Sequence, residues 1–247
     1  MESARADSNR ATIPKGVRFA AAAPPYVVTA PDPSYVALNE RPHGGHAKLL
    51  ALVGSGKRVL DVGCSSGYLA RPLVERGCTV VGIERDEEAA EAARQVCAEV
   101  LTGDVETMVL PFPLDSFDVV LCGDLIEHLS GPEQVLARLQ PLLRTDGRLV
   151  LTTPNVANWA MRLGLLFGRW RYTDRGILDS THFHLFTRST LVETLERAGY
   201  RILVLDFTVP VAGVGVPSVE RAAHAIGRLR PPLLAYQFVV AAAPVRT

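Results

Sequence analysis

The fold is decided by the stretch Val59-Leu-Asp-Val-Gly-Cys-Ser-Ser-Gly-Tyr-Leu-Ala70. Its apolar beginning predicts a short buried strand, because apolar runs that end in turn residues suit the interior of a parallel sheet. Gly63 and Gly67 predict a tight turn that leads directly into a helix. Ligands of open parallel sheets bind beyond the carboxyl ends of the strands, so we expect this turn to line a ligand site.

Outward from this stretch, apolar strands alternate with helices. Strands are predicted at 58–62, 79–83, 100–102, 117–122, 148–153, 200–207 and 235–242, and helices at 35–53, 66–76, 87–98, 132–143, 187–198 and 219–229. Thr187 is the expected N-cap of the helix at 187–198. Strands that alternate with helices are typical of crossover units, so the predicted fold class is α/β with a doubly wound, mostly parallel sheet.

Two segments depart from this alternation. Residues 1–34 are rich in alanine and proline without a sustained period, which predicts a mobile N-terminal arm before a domain at 35–247. Residues 155–186 combine an apolar segment with the basic aromatic stretch Arg169-Trp-Arg-Tyr172, and we interpret them as an inserted lid. A helix packed on the core, a dimer interface and a weak membrane-surface contact are the alternatives.

The composition limits the class of partner. The chain has 247 residues with 26 basic and 26 acidic side chains, and this zero net charge argues against nucleic acid as a partner without excluding a local basic patch. The four cysteines form no C-x-x-C pair, which predicts free thiols in a reducing cytoplasm. No signal-like segment and no run of about 18 apolar residues is present, so we expect a cytoplasmic protein without stable membrane insertion.

Three acidic residues follow three consecutive predicted strands. Asp61 ends the first strand, Glu84 ends the second, and Asp104 follows the third. An acidic residue about 20 positions after a glycine turn is placed to accept hydrogen bonds from ribose hydroxyls. The Asp104 carboxylate could accept from an adenine amino group. Together these strand ends predict an adenosine pocket.

The glycine spacing helps to choose among adenosine cofactors. A dinucleotide site has the pattern G-x-G-x-x-G, with a helix N-terminus directed at a pyrophosphate. Here the spacing is G-x-x-x-G, and Asp61 lies two residues before Gly63. A carboxylate at that position would repel a pyrophosphate and would suit a cationic group such as an α-ammonium.

These residues resemble the first motif of the class I S-adenosylmethionine-dependent methyltransferases. The resemblance continues in the expected order and spans roughly residues 45–205. It includes Thr102-Gly-Asp-Val-Glu106, Leu110-Pro-Phe-Pro-Leu-Asp-Ser-Phe-Asp-Val-Val120, Asp124-Leu-Ile-Glu-His-Leu129 and Leu143-Arg-Thr-Asp-Gly-Arg-Leu-Val-Leu-Thr-Thr-Pro-Asn155. It implies a Rossmann-like seven-stranded sheet of order 3-2-1-4-5-7-6 with the last strand antiparallel.

The resemblance also implies an activity. The cofactor would be S-adenosylmethionine and the product S-adenosylhomocysteine. The similarity is closest to a bacterial group that acts on small molecules, including quinone-pathway and cell-surface-sugar enzymes, so O-methylation of a small-molecule hydroxyl is the expected reaction. Nitrogen or carbon acceptors, an NAD-dependent oxidoreductase and a non-catalytic cofactor-binding protein are the alternatives, and a homodimer is compatible with the sequence.

The resemblance to the family assigns cofactor contacts to individual residues. Asp61, Gly63 and Gly67 match the acidic-glycine turn around the methionine part, and Glu84 matches the ribose-binding acid. The other predicted contacts are Arg85 at the adenine face, Asp104 and Val105 at the adenine edge, Cys64 and Tyr68 in the turn, and Gly123 at the end of the fourth strand. Ser65 stands where the family often has glycine, and we expect its φ to stay negative.

The predicted catalytic residues follow the fourth strand. If a helix begins near Asp124, then Asp124 and His128 are four residues apart and share a face. Asp124 would orient His128, and His128 would act as general base. The alternative is that His128 only packs the loop after this strand.

Two further pairs of histidines are candidates for contacts with a ligand. His182 and His184 would face one way in an extended segment and could hold a metal ion. No flanking acidic cluster completes an oxygen-rich site, so we predict no metal and assign His184 to the substrate side, as a third catalytic candidate. His43 and His46 precede the first strand and could close over the carboxylate end of the cofactor.

Overall fold

The computed structural model describes Leu38, residues 43–209 and residues 217–246, so the predicted arm at 1–34 lies outside the described residues. Seven strands form one sheet in the order β3-β2-β1-β4-β5-β7-β6. Their bounds are β1 Arg58–Val62, β2 Thr79–Glu84, β3 Glu99–Thr102, β4 Phe117–Gly123, β5 Leu143–Pro154, β6 Tyr200–Thr208 and β7 Gln237–Pro244. The strands β1 to β5 pair in parallel, and β7 is antiparallel to both β5 and β6. The predicted strand order and the antiparallel last strand are confirmed.

Eight α-helices accompany the sheet in the described part of the chain. They are α1 Gly45–Val53, α2 Ala70–Glu75, α3 Glu87–Ala93, α4 Pro132–Leu139, α5 Trp159–Leu166, α6 Arg188–Arg197, α7 Pro217–Gly227 and α8 Pro231–Leu234. The helix α2 begins at Ala70 and not at residue 66, because Gly67 still has a left-handed φ of 77°. Thr187 caps α6 through a capping box, as the sequence predicted.

The sheet is buried on both faces. In β4, Val120 and Cys122 belong to the apolar cluster on one face, while Val119 and Leu121 belong to the cluster on the other face. This alternation explains why the strand is apolar along its whole length. The four cysteines are free and buried, in agreement with the prediction of unpaired thiols.

The segment at 155–186 contains α5 and lies between β5 and α6. No residue of α5 is buried, and Leu166 and Phe167 are exposed to 77% and 68%. The alternative of a helix packed on the core is therefore wrong. The role of this segment as a lid stays a prediction. Within residues 43–209 and 217–246, no helix is both long and apolar enough to cross a bilayer.

Candidate active site

The glycine turn adopts the conformation that its glycines allow. Gly63 and Gly67 have φ values of 74° and 77°, a region that residues with a Cβ rarely adopt. Ser65 has a φ of 48°, so the expectation of a negative φ at this position is wrong. A left-handed serine costs on the order of 1 kcal/mol, and this cost must be offset by the contacts of the turn.

Glu84 supplies one of those contacts. Its Oε2 accepts a hydrogen bond from the Ser65 amide at 2.8 Å, while its Oε1 accepts from the amides of Arg85 and Asp86 at 2.8 and 2.9 Å. A carboxylate oxygen has two lone pairs, so Oε1 is saturated and Oε2 retains one acceptor position. Glu84 thus joins the turn to the end of β2 and can accept one hydroxyl of a ribose.

Asp61 lies at the carboxyl end of β1 and is 1% exposed. Its Oδ2 is buried and has no hydrogen-bond partner. Burial, followed by the nearby Glu84 carboxylate, raises the pKa of Asp61 to about 7. A buried carboxylate without a partner is costly. An ammonium group beside Oδ2 would remove that cost, and the residue therefore fits the cationic end of a ligand.

Cys64 does not contribute its side chain to the site. The residue is 1% exposed and packs in the core beside Gly82 of β2, where a Cβ on Gly82 would lie 2.6 Å from the Cys64 Sγ. The turn directs this side chain inward, so the predicted cofactor contact at Cys64 stays a prediction for its backbone alone. Its pairing with Gly82 lets the turn lie close to β2.

Gly82→Ala is expected to lower the free energy of unfolding by about 2 kcal/mol, because the added methyl group overpacks the Cys64 sulfur. The measurement is urea unfolding. Cys64→Ala removes the sulfur, so the double variant should be more stable than Gly82→Ala alone. If the double variant instead loses as much stability as the two single variants together, this packing argument is contradicted.

The loop after β3 holds the predicted adenine-edge residues. Asp104 is half-buried, and its Oδ1 accepts from the Glu106 amide at 2.9 Å. Val105 is buried, and its carbonyl accepts from Arg138 at 3.0 Å. Arg85 is exposed at the neighbouring strand end. Hydrogen bonds thus fix the positions of Asp104 and Val105, while the assignment of these residues to adenine stays a prediction.

Tyr68 follows the glycine turn after β1, and Gly123 ends the neighbouring strand β4. The Tyr68 ring packs against the His46 ring, with centroids 5.3 Å apart. A Cβ on Gly123 would lie 3.0 Å from the Leu69 side chain, so glycine permits close packing at the end of β4. His43 instead stacks on His224, with centroids 5.1 Å apart, so the predicted His43/His46 pair does not converge on one site.

Asp124 has a different role from the predicted one. It has a φ of 49°, its amide donates to Thr152 Oγ1 at 3.0 Å, and its Oδ1 accepts from the Gln237 amide group. A 3-10 turn at Ile126–His128 replaces the expected α-helix. The helical geometry that would bring Asp124 under His128 is therefore absent, and the prediction that Asp124 orients His128 is wrong.

Thr181 orients His128 instead. The His128 Nδ1 lies 3.2 Å from the Thr181 carbonyl and 3.1 Å from its Oγ1. The Thr181 hydroxyl donates to Asp179 Oδ1 at 2.6 Å, so it can only accept from His128. Both oxygens therefore require a proton on Nδ1, which leaves a lone pair on Nε2. Burial, followed by the neighbouring His182, lowers the pKa of His128 and favours this neutral form.

The structure places two further residues beside His128: Glu127, which the sequence did not select, and His182, which the sequence offered only together with His184. Glu127 is 1% exposed, and His182 packs against His128 with ring centroids 4.7 Å apart. Burial raises the pKa of Glu127 well above its ordinary value, with a further contribution from Asp124. The sequence contains Glu127 beside His128, but only the approach of the loop at 179–184 brings His182 to them.

His184 lies apart from this group. Its Nε2 is 3.2 Å from the Ser130 carbonyl, and its ring lies beside Phe186. The two histidines of the H-x-H pattern therefore contact different groups. A catalytic role for His184 stays a prediction.

A seven-stranded sheet of this order, with an acidic-glycine turn after β1, defines an adenosine-cofactor site of the methyltransferase type. Residues 38–205 match the family model described as a methyltransferase domain. The chain therefore belongs to the methyltransferase-domain family.

Named relatives agree with this family. The chain is 31% identical over 163 residues to a ubiquinone biosynthesis O-methyltransferase of Aeromonas salmonicida, and the aligned region covers 62% of this chain and 66% of the relative. It is 29% identical over 156 residues to a protein of the same name from Acinetobacter baylyi, and this aligned region covers 60% of this chain and 65% of the relative. The matches span slightly less than two thirds of these relatives.

Solved structures support the fold. A methyltransferase of Thermotoga maritima, described as a possible histamine N-methyltransferase, superposes with a TM-score of 0.60 at 18% identity and covers 81% of this chain and 88% of that one. A methyltransferase of Haloferax volcanii in complex with the activator Trm112 has a TM-score of 0.58 at 21% identity, with coverage of 84% and 92%.

Proposed function

We propose that this protein transfers a methyl group from S-adenosylmethionine to a hydroxyl group of a small-molecule acceptor and releases S-adenosylhomocysteine. The observation that carries the proposal is Asp61, a buried carboxylate with an unpartnered oxygen beside the glycine turn of a methyltransferase domain. The names of the relatives support oxygen as the methyl acceptor. A cytoplasmic location and a homodimer belong to the same proposal.

Three carboxylates would hold the cofactor. Asp61 pairs with the α-ammonium group, the remaining acceptor position of Glu84 takes a ribose hydroxyl, and Asp104 takes the adenine amino group. When bound, S-adenosylmethionine supplies an already activated methyl group. The protein then has to align the acceptor, exclude water and remove a proton. The Nε2 lone pair of His128 is available for that proton.

The other classes are less favoured by the same residues. A dinucleotide would place its pyrophosphate near the glycine turn, where the Asp61 carboxylate opposes it. A scaffold that no longer binds the cofactor would not need Asp61, whose burial is costly without a ligand. The zero net charge favours a small molecule over nucleic acid.

Calorimetry tests the cofactor. The chain should bind S-adenosylhomocysteine and should not bind NAD, because only the former carries an ammonium group for Asp61. A transfer assay with labelled S-adenosylmethionine and a panel of phenols, sugars and amines then identifies the acceptor atom. Binding of NAD without binding of S-adenosylhomocysteine would contradict the proposed function.

A further inference from the structure

A buried acid, Asp179, contacts Thr181, the residue that orients the proposed base His128. Asp179 is only 4% exposed, and its Oδ1 accepts from both the amide and the hydroxyl of Thr181, at 2.9 and 2.6 Å. Burying a carboxylate is costly unless hydrogen bonds compensate for the lost water. These two hydrogen bonds supply part of that compensation, and they fix the Thr181 side chain against Asp179.

The hydrogen bonds run in one direction along the series His128, Thr181 and Asp179. A carboxylate oxygen only accepts, so the Thr181 hydroxyl donates its single proton to Asp179 and presents only lone pairs to His128. The Thr181 Oγ1 and carbonyl oxygen lie 3.1 and 3.2 Å from His128 Nδ1. Without an acceptor at position 179, the hydroxyl could rotate and donate to Nδ1. The imidazole proton would then move to Nε2 and remove the lone pair that a base needs.

Backbone hydrogen bonds join the loop of Asp179 to the turn that carries His128. The Asp179 carbonyl accepts from the His182 amide at 3.1 Å, and the amide of the next residue, Phe183, donates to the Glu127 carbonyl at 2.8 Å. Glu127 directly precedes His128 in the chain. The position of the Asp179 carboxylate relative to the imidazole is therefore built into the folded chain.

We propose that Asp179 is a positioning residue for methyl transfer, which acts through the Thr181 hydroxyl to keep the proton of neutral His128 on Nδ1 and its lone pair on Nε2. This role rests on the proposed function, in which His128 removes the proton of an acceptor hydroxyl. An acid that holds a histidine in one tautomer and stabilises its protonated form is the principle of the serine-protease triad. Here a threonine hydroxyl lies between the acid and the histidine.

The reaction step balances with these groups alone. The acceptor O–H bond breaks and its proton goes to His128 Nε2, while the acceptor oxygen forms a bond to the methyl carbon. The carbon–sulfur bond breaks at the same time, and the sulfur leaves as a neutral thioether. The imidazolium that forms still donates from Nδ1 to Thr181, and the negative Asp179 beyond it stabilises the new positive charge.

Several titratable groups face His128. Glu127 precedes it, the His182 ring packs on it with centroids 4.7 Å apart, and Asp124 follows β4 directly. Burial and then His182 lower the pKa of His128, whereas the carboxylates of Asp179 and Asp124 raise it. Removing the charge of Asp179 should therefore lower the pKa of His128 further. The acid limb of a turnover profile that depends on neutral His128 should then move to lower pH.

Two variants of Asp179 separate its acceptor oxygen from its charge. Asp179→Ala removes both and should lower kcat by about 10 to 100-fold with little change in the KM of the acceptor, as part of the roughly 10² to 10⁴-fold that base catalysis contributes. Asp179→Asn keeps an oxygen that can accept from Thr181, so it should recover most of kcat while its acid limb still moves to lower pH. Asp146→Ala removes an exposed acid of β5 and is the control, with a wild-type kcat and pH profile.

A double variant distinguishes positioning from a general structural role. If Asp179 acts through His128, then Asp179→Ala should cause no further loss of turnover in a His128→Ala background. Thr181→Val removes the connecting hydroxyl and should also lower kcat, and Thr181→Ser should restore it. Circular dichroism checks that each variant folds. A further loss in the double variant as large as that of Asp179→Ala alone would reject the positioning role.

Nitrogen-15 NMR tests the tautomer without any acceptor. The His128 resonances, assigned by their absence in His128→Ala, should show a proton on Nδ1 in neutral wild-type protein, and Asp179→Ala should shift the population toward a proton on Nε2. Wild-type protein that binds S-adenosylhomocysteine but has its His128 proton on Nε2 would overturn only the positioning role. Wild-type protein with the proton on Nδ1 that binds no S-adenosylhomocysteine would overturn only the proposed function.

Discussion

Asp61→Asn should bind S-adenosylhomocysteine about 100-fold more weakly than the wild-type chain. The substitution keeps the shape of the side chain and removes its charge, so the ammonium group of the ligand loses a buried ionic partner. Removing one partner of a buried charge pair typically costs about 2–5 kcal/mol, which corresponds to a loss of roughly 30-fold to several thousand-fold and includes the expected value. Calorimetry at constant pH measures the change.

The same substitution should stabilise the protein without ligand. Asp61 has a pKa of about 7 in the folded chain against an ordinary value of 3.8, which corresponds to a cost of roughly 4 kcal/mol when the group is ionised. Because the folded-state pKa is raised, this cost is absent below pH 3.8, grows as the pH rises to 7, and is constant above that. Asp61→Asn should therefore melt above wild type at pH 8, and the difference should shrink toward pH 4.

Asp146→Asn is the matched control. Asp146 is exposed near the start of β5, so its substitution should change neither the cofactor affinity nor the dependence of melting on pH. Wild-type affinity in Asp61→Asn would show that the carboxylate does not contact the ligand. A difference in melting temperature that does not depend on pH would reject the argument from ionisation. It would not bear on the contact between Asp61 and the ligand.

His128→Ala should lower turnover by about 10² to 10⁴-fold with a hydroxyl acceptor. The substitution removes the Nε2 lone pair, which the contacts of Nδ1 with Thr181 leave available to take the proton. Cofactor binding should be unchanged, because Asp61, Glu84 and the glycine turn are intact. Single-turnover methyl transfer, together with calorimetry, measures both effects.

His184→Ala is the comparison variant for turnover. Its imidazole lies within hydrogen-bonding distance of the Ser130 carbonyl, so we expect a clearly smaller loss than for His128→Ala. The reverse order would move the base to His184 and restore the sequence-based assignment of that residue. Equal and complete loss in both variants, with altered circular dichroism, would identify a folding defect instead of a catalytic one.

The sequence by itself determined the order of the elements and the positions of the residues proposed to hold the cofactor. Asp61, Gly63 and Gly67 lie within a few residues of one another, and Glu84 and Asp104 each lie at or directly after the end of a neighbouring strand. Local motifs of this kind are readable because parallel strands bring their carboxyl ends to one edge wherever the alternation holds. The Thr187 cap was readable for the same reason, since its partners lie within one helical turn.

Only the tertiary structure decided the acceptor end. His128 and Thr181 are 53 residues apart in the chain, and no periodicity links them. The left-handed Asp124 and the 3-10 turn after it changed the direction of His128, which helical spacing had placed on one face with Asp124. The inward Cys64 thiol depends likewise on Gly82 of the next strand. Contacts between distant segments depend on packing, and therefore the cofactor turn could be predicted from Val59–Ala70 while the Glu127–His128–His182 cluster could not.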